Sequence, residues 1–176
     1  MNVSKANGAD AHPWLTAGRQ ALVSGTLASF LSTAALALFG KAEVRSFVAP
    51  TNATSHWLWG DDAYNEYQPS LRHTAVGYVT HHASAVFWAL LYERWLNRSQ
   101  YHSAGTIVRD AALAAGVAAL VDYTLTPPRL RPGFEQHLSR PSLVGVFAAF
   151  AAGLAAGALL NRQHERRLER LLTLPE

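Results

Sequence analysis

The sequence predicts an all-α fold: an integral membrane four-helix bundle with a long structured outer loop between helices one and two. Three observations predict it. Apolar residues gather in four blocks of about membrane-spanning length, and nearly all charges fall between them. Aromatic residues collect near the block ends, at Trp14, Trp57, Trp59, Trp88, Tyr92 and Trp95. Small residues recur at every fourth position inside the blocks, as they do where membrane helices approach closely. The mean hydropathy of +0.02 would by itself suit a soluble alanine-rich bundle, but it averages over segments that are sharply segregated.

The first block, residues 20–39 (QALVSGTLASFLSTAALALF), contains no charge and at ~1.5 Å per residue crosses a hydrocarbon core of ~30 Å. It exceeds the ~7–15 apolar residues of a signal peptide and reads as a retained span. The second, residues 74–92, runs between Arg72 and Glu93 and places His81 and His82 midway along its length. The third, residues 107–126, has Arg109 and Asp110 near one boundary and Asp122 inside the other, and Pro127 and Pro128 stop it. The fourth, residues 142–160 (SLVGVFAAFAAGLAAGALL), follows Pro141 and passes into a tail, residues 161–176, expected to be cytoplasmic. All 176 residues form one domain in this reading.

Charge and composition narrow the classes of function. No cysteine is present, which excludes disulfides and thiolate metal sites. The net charge of +3 comes from arginines beside the apolar blocks and in RQHERRLER, a distribution that suits lipid headgroups and not a nucleic-acid groove. Placing both termini inside puts Lys5, Arg19, Arg94, Arg98, Arg109, Arg162, Arg166, Arg167 and Arg170 on the cytoplasmic face. Lys41, Arg45, Arg72, Arg129, Arg131 and Arg140 then lie outside, a split that favours this orientation in a bacterial inner membrane. The expected partners are the bilayer and, through Gly145, Ala149, Gly153 and Gly157, a second copy or a larger complex. Gly25, Ser29, Thr33 and Ala37 give the first helix a similar stripe.

Candidate chemistry lies in two outer loops and in the second helix. APTNATSHWLWGDDAYNEYQPS, residues 49–70, holds His56 and Trp57 among hydroxyls and acids. It either anchors at headgroup level through its tryptophans or folds back to cap a site. TPPRLRPGFEQHLSRP, residues 126–141, is stiffened by prolines and offers Arg129 and Arg131 to an anionic headgroup, with Glu135 and His137 following. Asn52-Ala-Thr54 and Asn97-Arg-Ser99 match a glycosylation acceptor but are discounted.

Adjacent helical residues point about 100° apart, so His81 and His82 serve different neighbours. His81 shares a stripe with Tyr78, Ser84 and Trp88 and is expected to meet Asp122 across the bundle, as structural glue or as a proton relay. A metal site at the outer helix ends would draw on His56, His73, Asp122 or Glu135, without any recognised spacing. Haem between two helices of one chain is excluded, because only the second apolar span contains histidine. No nucleophile elbow, phosphate loop or dinucleotide fingerprint occurs. An enzyme acting on a lipid headgroup with His56 or His73 as base stays open.

GYVTHHASAVFWALLYE in the second helix, with four short spans and a tryptophan-rich loop, resembles uncharacterised bacterial inner-membrane proteins of the YagU type. The resemblance covers about the middle half of the chain and implies a small inner-membrane protein linked to acid tolerance. Three functions remain open at this point. They are an accessory or ligand-binding protein responding to protons through His81 and Asp122, an enzyme or metal module under the outer loop, and a structural subunit of a larger complex. No cofactor is specified.

Overall fold

The computed structural model describes residues 12–99 and 103–172; Lys5 and the last four residues of the expected tail lie outside them. The described chain is helical, with no strand among those residues. Four long helices carry the fold: α1, Pro13–Val44; α4, Val76–Leu96; α5, Ala104–Leu120; and α6, Arg140–Leu172. Two short helices, α2 (Ala49–Thr54) and α3 (His56–Trp59), follow α1 and begin the loop that leads to α4. The helices overrun the apolar blocks because charged and capped ends extend them. Pro13 starts α1 at a position where its missing N–H costs nothing. Arg45, in the left-handed region at φ 60°, ends it while Ser46 N–H closes on the Gly40 carbonyl at 3.2 Å. The segment expected as a tail continues α6 as helix to Leu172, with Arg162 and Glu165 paired one turn apart at 3.3 Å.

The packing inverts that of a soluble protein. Buried on α1 are Ala17, Ala21, Ser24, Ala28, Ser32 and Leu36, whereas Leu22, Phe30 and Leu38 are exposed. Exposed large apolar residues continue on α4 at Val79 and Phe87, on α5 at Leu113 and Val117, and on α6 at Val144. A patch of this extent is unfavourable in water and natural in lipid. Cation–π pairs mark the two ends: Arg94 over Trp14 at 5.4 Å and Arg98 over Trp95 at 5.2 Å at one, Arg72 over Trp59 at 4.9 Å at the other.

Among the described residues three helices are long and apolar enough to cross a membrane: Pro13–Val44, Ala104–Leu125 and Arg140–Leu172. The second block of the sequence forms α4, which is not among them. Thr80, His81, His82 and Ser84 dilute its apolar character.

Small residues set the arrangement. A Cβ added at Gly153 or Gly157 would run into the backbone of α1 at Ala28 or Ser24, and one at Gly25 would lie 2.7 Å from the Cα of Val86 on α4. α1 is thus the central helix, with α6 and α4 against it, while α5 packs mainly on α6 and only lightly on α4. Gly145 faces the ring of Phe39, so this stripe of α6 meets α1 within the chain.

Gly157→Leu should separate α1 from α6 and cost about 1–3 kcal/mol, seen as a lower melting midpoint in detergent. Gly116→Leu, at a glycine with open space around it, should leave the midpoint nearly unchanged. Equal losses in both variants would show that the seam is not what holds the helices.

Candidate functional site

The loop between α1 and α4 folds back over the helix ends, and a single asparagine organises it. Asn52 is fully buried and donates to the carbonyls of Glu66 and Gln68 at 2.9 and 3.0 Å, while its own carbonyl accepts from Thr74 Oγ1 at 2.7 Å. Each bond contributes about 1 kcal/mol net, and each polar atom left unpaired would cost more. The amide is therefore committed to the fold. His73 is buried with Nδ1 3.1 Å from Ser55 Oγ, and Trp59 donates to the Arg72 carbonyl at 2.9 Å. The second loop is tied to this cap by Trp57, whose indole N–H donates to the Arg131 carbonyl at 2.9 Å. Gly133, at φ 92°, allows the loops to close, since a side chain there would strike the Ala53 carbonyl and His56.

Beneath the cap lies a cavity of about 260 Å³ between α1, α4, α5 and α6. Trp57, Phe87, Trp88, Phe134, Phe147 and Phe150 supply most of its apolar wall. Its polar groups include His81, Ser84 and Thr80 on α4, Ser32 on α1, Thr54 on α2, and Asp122 and Thr126 at the loop end of α5. Asp122 sits in a widened π turn, Val121–Leu125, closed by Thr126 N–H on the Val121 carbonyl at 2.9 Å. Such turns displace a side chain from the regular helical face.

The cavity contains both His81 and Asp122, but no hydrogen bond joins them among the described residues. His81 Nε2 lies 2.8 Å from Ser32 Oγ instead. Ser32 Oγ also lies 2.7 Å from the Ala28 carbonyl of its own helix. The reason is packing: Gly25 draws α4 onto α1, whereas α5 stands off from α4. Tyr78 also departs from the expected stripe, its ring stacking on His82 at 5.9 Å.

A second, polar pocket of about 400 Å³ lies across the loop, lined by His56, Asp61, Tyr64, Arg129, Arg131 and Glu135 among others. His137 is buried beside it, its ring edge-on to Tyr67 at 5.4 Å. Burial lowers the His137 pKa from the usual histidine value, against a hydrogen bond to the Tyr64 backbone that raises it. Burial, reinforced by Asp61 and Glu135, raises that of the Tyr64 phenol. The suggested metal ligands His56, His73, Asp122 and Glu135 are not gathered: no group of three histidine or carboxylate side chains suited to a metal occurs among the described residues.

The opposite end holds a network that the sequence did not single out. Glu93 on α4 is fully buried and accepts from Asn161 at 2.9 Å and from Arg162 at 3.4 Å, both on α6. Arg162 also donates to Asn97 at 2.8 Å, Asn97 to Gln20 at 2.6 Å, and Gln20 to Glu165 at 2.6 Å. The chain binds α1, α4 and α6 together through paired polar groups. Glu93 reads in sequence as a boundary charge, next to Arg94 and four residues before Asn97, and nothing in that pattern marks it as buried.

Arg162→Met leaves Glu93 buried without its cation and should cost about 3–5 kcal/mol. The double variant Glu93→Gln with Arg162→Met should recover part of that loss in thermal unfolding; no recovery would mean that the pair is not coupled. His137 gives a pH signature. Its lowered folded value means that the unfolded chain takes up a proton first, so stability is highest above the unfolded pKa of about 6.5 and falls as pH drops below it, levelling once the folded value is passed. The melting midpoint should therefore drop on acidification through that window, and His137→Phe should remove part of the drop. Compared with known proteins, the chain matches no family model, no curated protein and no solved structure.

Proposed function

We propose that this is a four-span ligand-binding protein of the bacterial inner membrane, holding the apolar part of an amphiphile in the cavity beneath its cap. The carrying observation is the cavity itself: a largely aromatic and aliphatic wall interrupted by a few polar side chains from α1, α4 and the end of α5. Its volume of about 260 Å³ falls just below the range of roughly 300–1,000 Å³ typical of whole-ligand pockets, which suits a segment of a longer chain. Ligand pockets of this kind combine apolar lining with a few orienting polar groups. His81, held by Ser32, and Asp122 are those groups.

Support for α4 as the fourth span comes from its exposed Val79, Phe87 and Leu91 and from its place against α1. Support for cytoplasmic termini comes from the arginine distribution: Arg94, Arg98, Arg109 and Arg162 share an end with Arg19, and six cations flank the loops. A proton-responsive role, in keeping with the YagU-type resemblance, would act through His81, where protonation of the ring adds a charge to a mostly apolar cavity.

The test uses a variant retaining only Trp57 and Trp88, with Trp14, Trp59 and Trp95 replaced by phenylalanine, and a dibrominated fatty acid as quencher. Saturable quenching is expected, weakened at least about tenfold by Ser84→Phe, which fills the cavity, and by Ala118→Phe on the facing helix. Quenching that never saturates and is identical in all variants would mean partition into detergent, and the reading would fall.

A further inference from the structure

The loop between α5 and α6 is a partition between the two pockets. Leu130 and Pro132 line the apolar cavity, whereas Arg131 between them and Arg129 before them line the polar pocket. The facing helix α3 divides in the same way: Trp57 borders the cavity and His56 the polar pocket. The Trp57 hydrogen bond to the Arg131 carbonyl joins the two halves of this wall.

The polar pocket contains groups that nothing in the fold satisfies. His56 is only 2% exposed, and its Nδ1 lies 2.8 Å from the Ala53 carbonyl, which can only accept. The neutral ring therefore bears its lone pair on Nε2, and that buried atom has no partner. Glu135 Oε2 and Arg131 Nε are likewise buried without partners. Neither Arg129 nor Arg131 forms an ion pair with a carboxylate among the described residues, although Asp61 and Glu135 line the same pocket. The pocket thus offers acceptors, from His56, Glu135 and Asp61, together with guanidinium donors. A simple anion would satisfy only the arginines, and a simple amine only the acceptors.

We propose that this pocket binds a phosphate ester bearing a primary ammonium group, the phosphate on Arg129 and Arg131 and the ammonium between Glu135 and His56 Nε2. Guanidinium groups bind phosphate by charge-assisted, often bidentate, hydrogen bonds, and an ammonium supplies three donors to acceptors that lack them. The inference deepens the amphiphile reading by naming the headgroup beside the cavity, but it stands on different residues and is tested separately.

The probe is phosphoethanolamine, titrated calorimetrically into the full-length protein in a nonionic detergent. Saturable binding is expected, with inorganic phosphate and ethanolamine each at least about tenfold weaker. Arg131→Gln and Glu135→Gln should each weaken phosphoethanolamine about tenfold or more. Arg129→Gln, on an exposed part of the loop, serves as a second variant whose folding is checked by its melting midpoint. Equal binding of phosphate and phosphoethanolamine, no binding of either, or binding unchanged in the folded variants would overturn the proposal. Nanodiscs containing phosphatidylethanolamine or only phosphatidylglycerol then separate the sources: protection of the cap by the former alone assigns a lipid headgroup, and protection by neither assigns a free phosphoamine. If fatty-acid quenching saturates while phosphoethanolamine does not bind, the headgroup inference fails and the cavity reading stands. The reverse pattern removes the cavity reading and leaves this site intact.

Discussion

The close approach of α6 and α4 to α1 is the constraint from which the rest of the molecule follows. It requires glycine at Gly153 and Gly157 on α6 and Gly25 on α1, where any side chain would meet backbone. In lipid no hydrophobic gain separates protein contacts from lipid contacts, so close packing and polar bonds must hold helices together. With α4 and α6 both fixed to α1, α5 is held mainly by α6 and diverges from α4. The cavity opens where those two helices fail to meet. The same geometry assigns His81 to Ser32 and leaves Asp122 on the opposite wall.

The two ends of the bundle solve the problem of buried polarity differently. At the tail end, Glu93, Arg162, Asn97, Asn161 and Gln20 answer one another across three helices, an arrangement suited to fixing register. At the loop end, Asn52 is as completely satisfied, yet Thr54, His56, Arg131, Glu135 and His137 each retain a buried polar atom without a partner. Unsatisfied buried groups are costly and uncommon in native structures. Three of them, on His56, Arg131 and Glu135, belong to residues that line one polar pocket, which is where a ligand would relieve that cost.

Periodicity and composition made the helical fold legible, because a membrane helix has to satisfy its own backbone and shows itself as an uninterrupted apolar run. The runs 20–39, 107–126 and 142–160 lie on helices apolar enough to cross a membrane. Residues 74–92 are helical too, but their polar residues keep α4 out of that set. The pairing of side chains was less legible. Rise per residue gives the depth of His81 and Asp122, whereas the choice between Ser32 and Asp122 depends on interhelical distance, which Gly25 controls and no one-dimensional pattern reports. Asn52 was disguised by its glycosylation-like tripeptide, and Glu93 by its position at the edge of an apolar run.

The cap is two-sided at the loop between α5 and α6, where the chain leaves the short 3-10 turn Pro128–Leu130: Leu130 and Pro132 border the apolar cavity and Arg129 and Arg131 the polar pocket. Gly133 closes the turn at φ 92°, and Trp57 fixes the wall by bonding the backbone and leaving the guanidinium free of that contact. A wall apolar on one side and cationic on the other would be a poor core element, because neither face is fully packed. It is well suited to a boundary at which one molecule presents both a hydrocarbon and a charged group, and that boundary in a membrane protein is the level of the lipid headgroups. Tryptophans and arginines at the same end, Trp59 with Arg72 among them, are the residue types that suit such a layer.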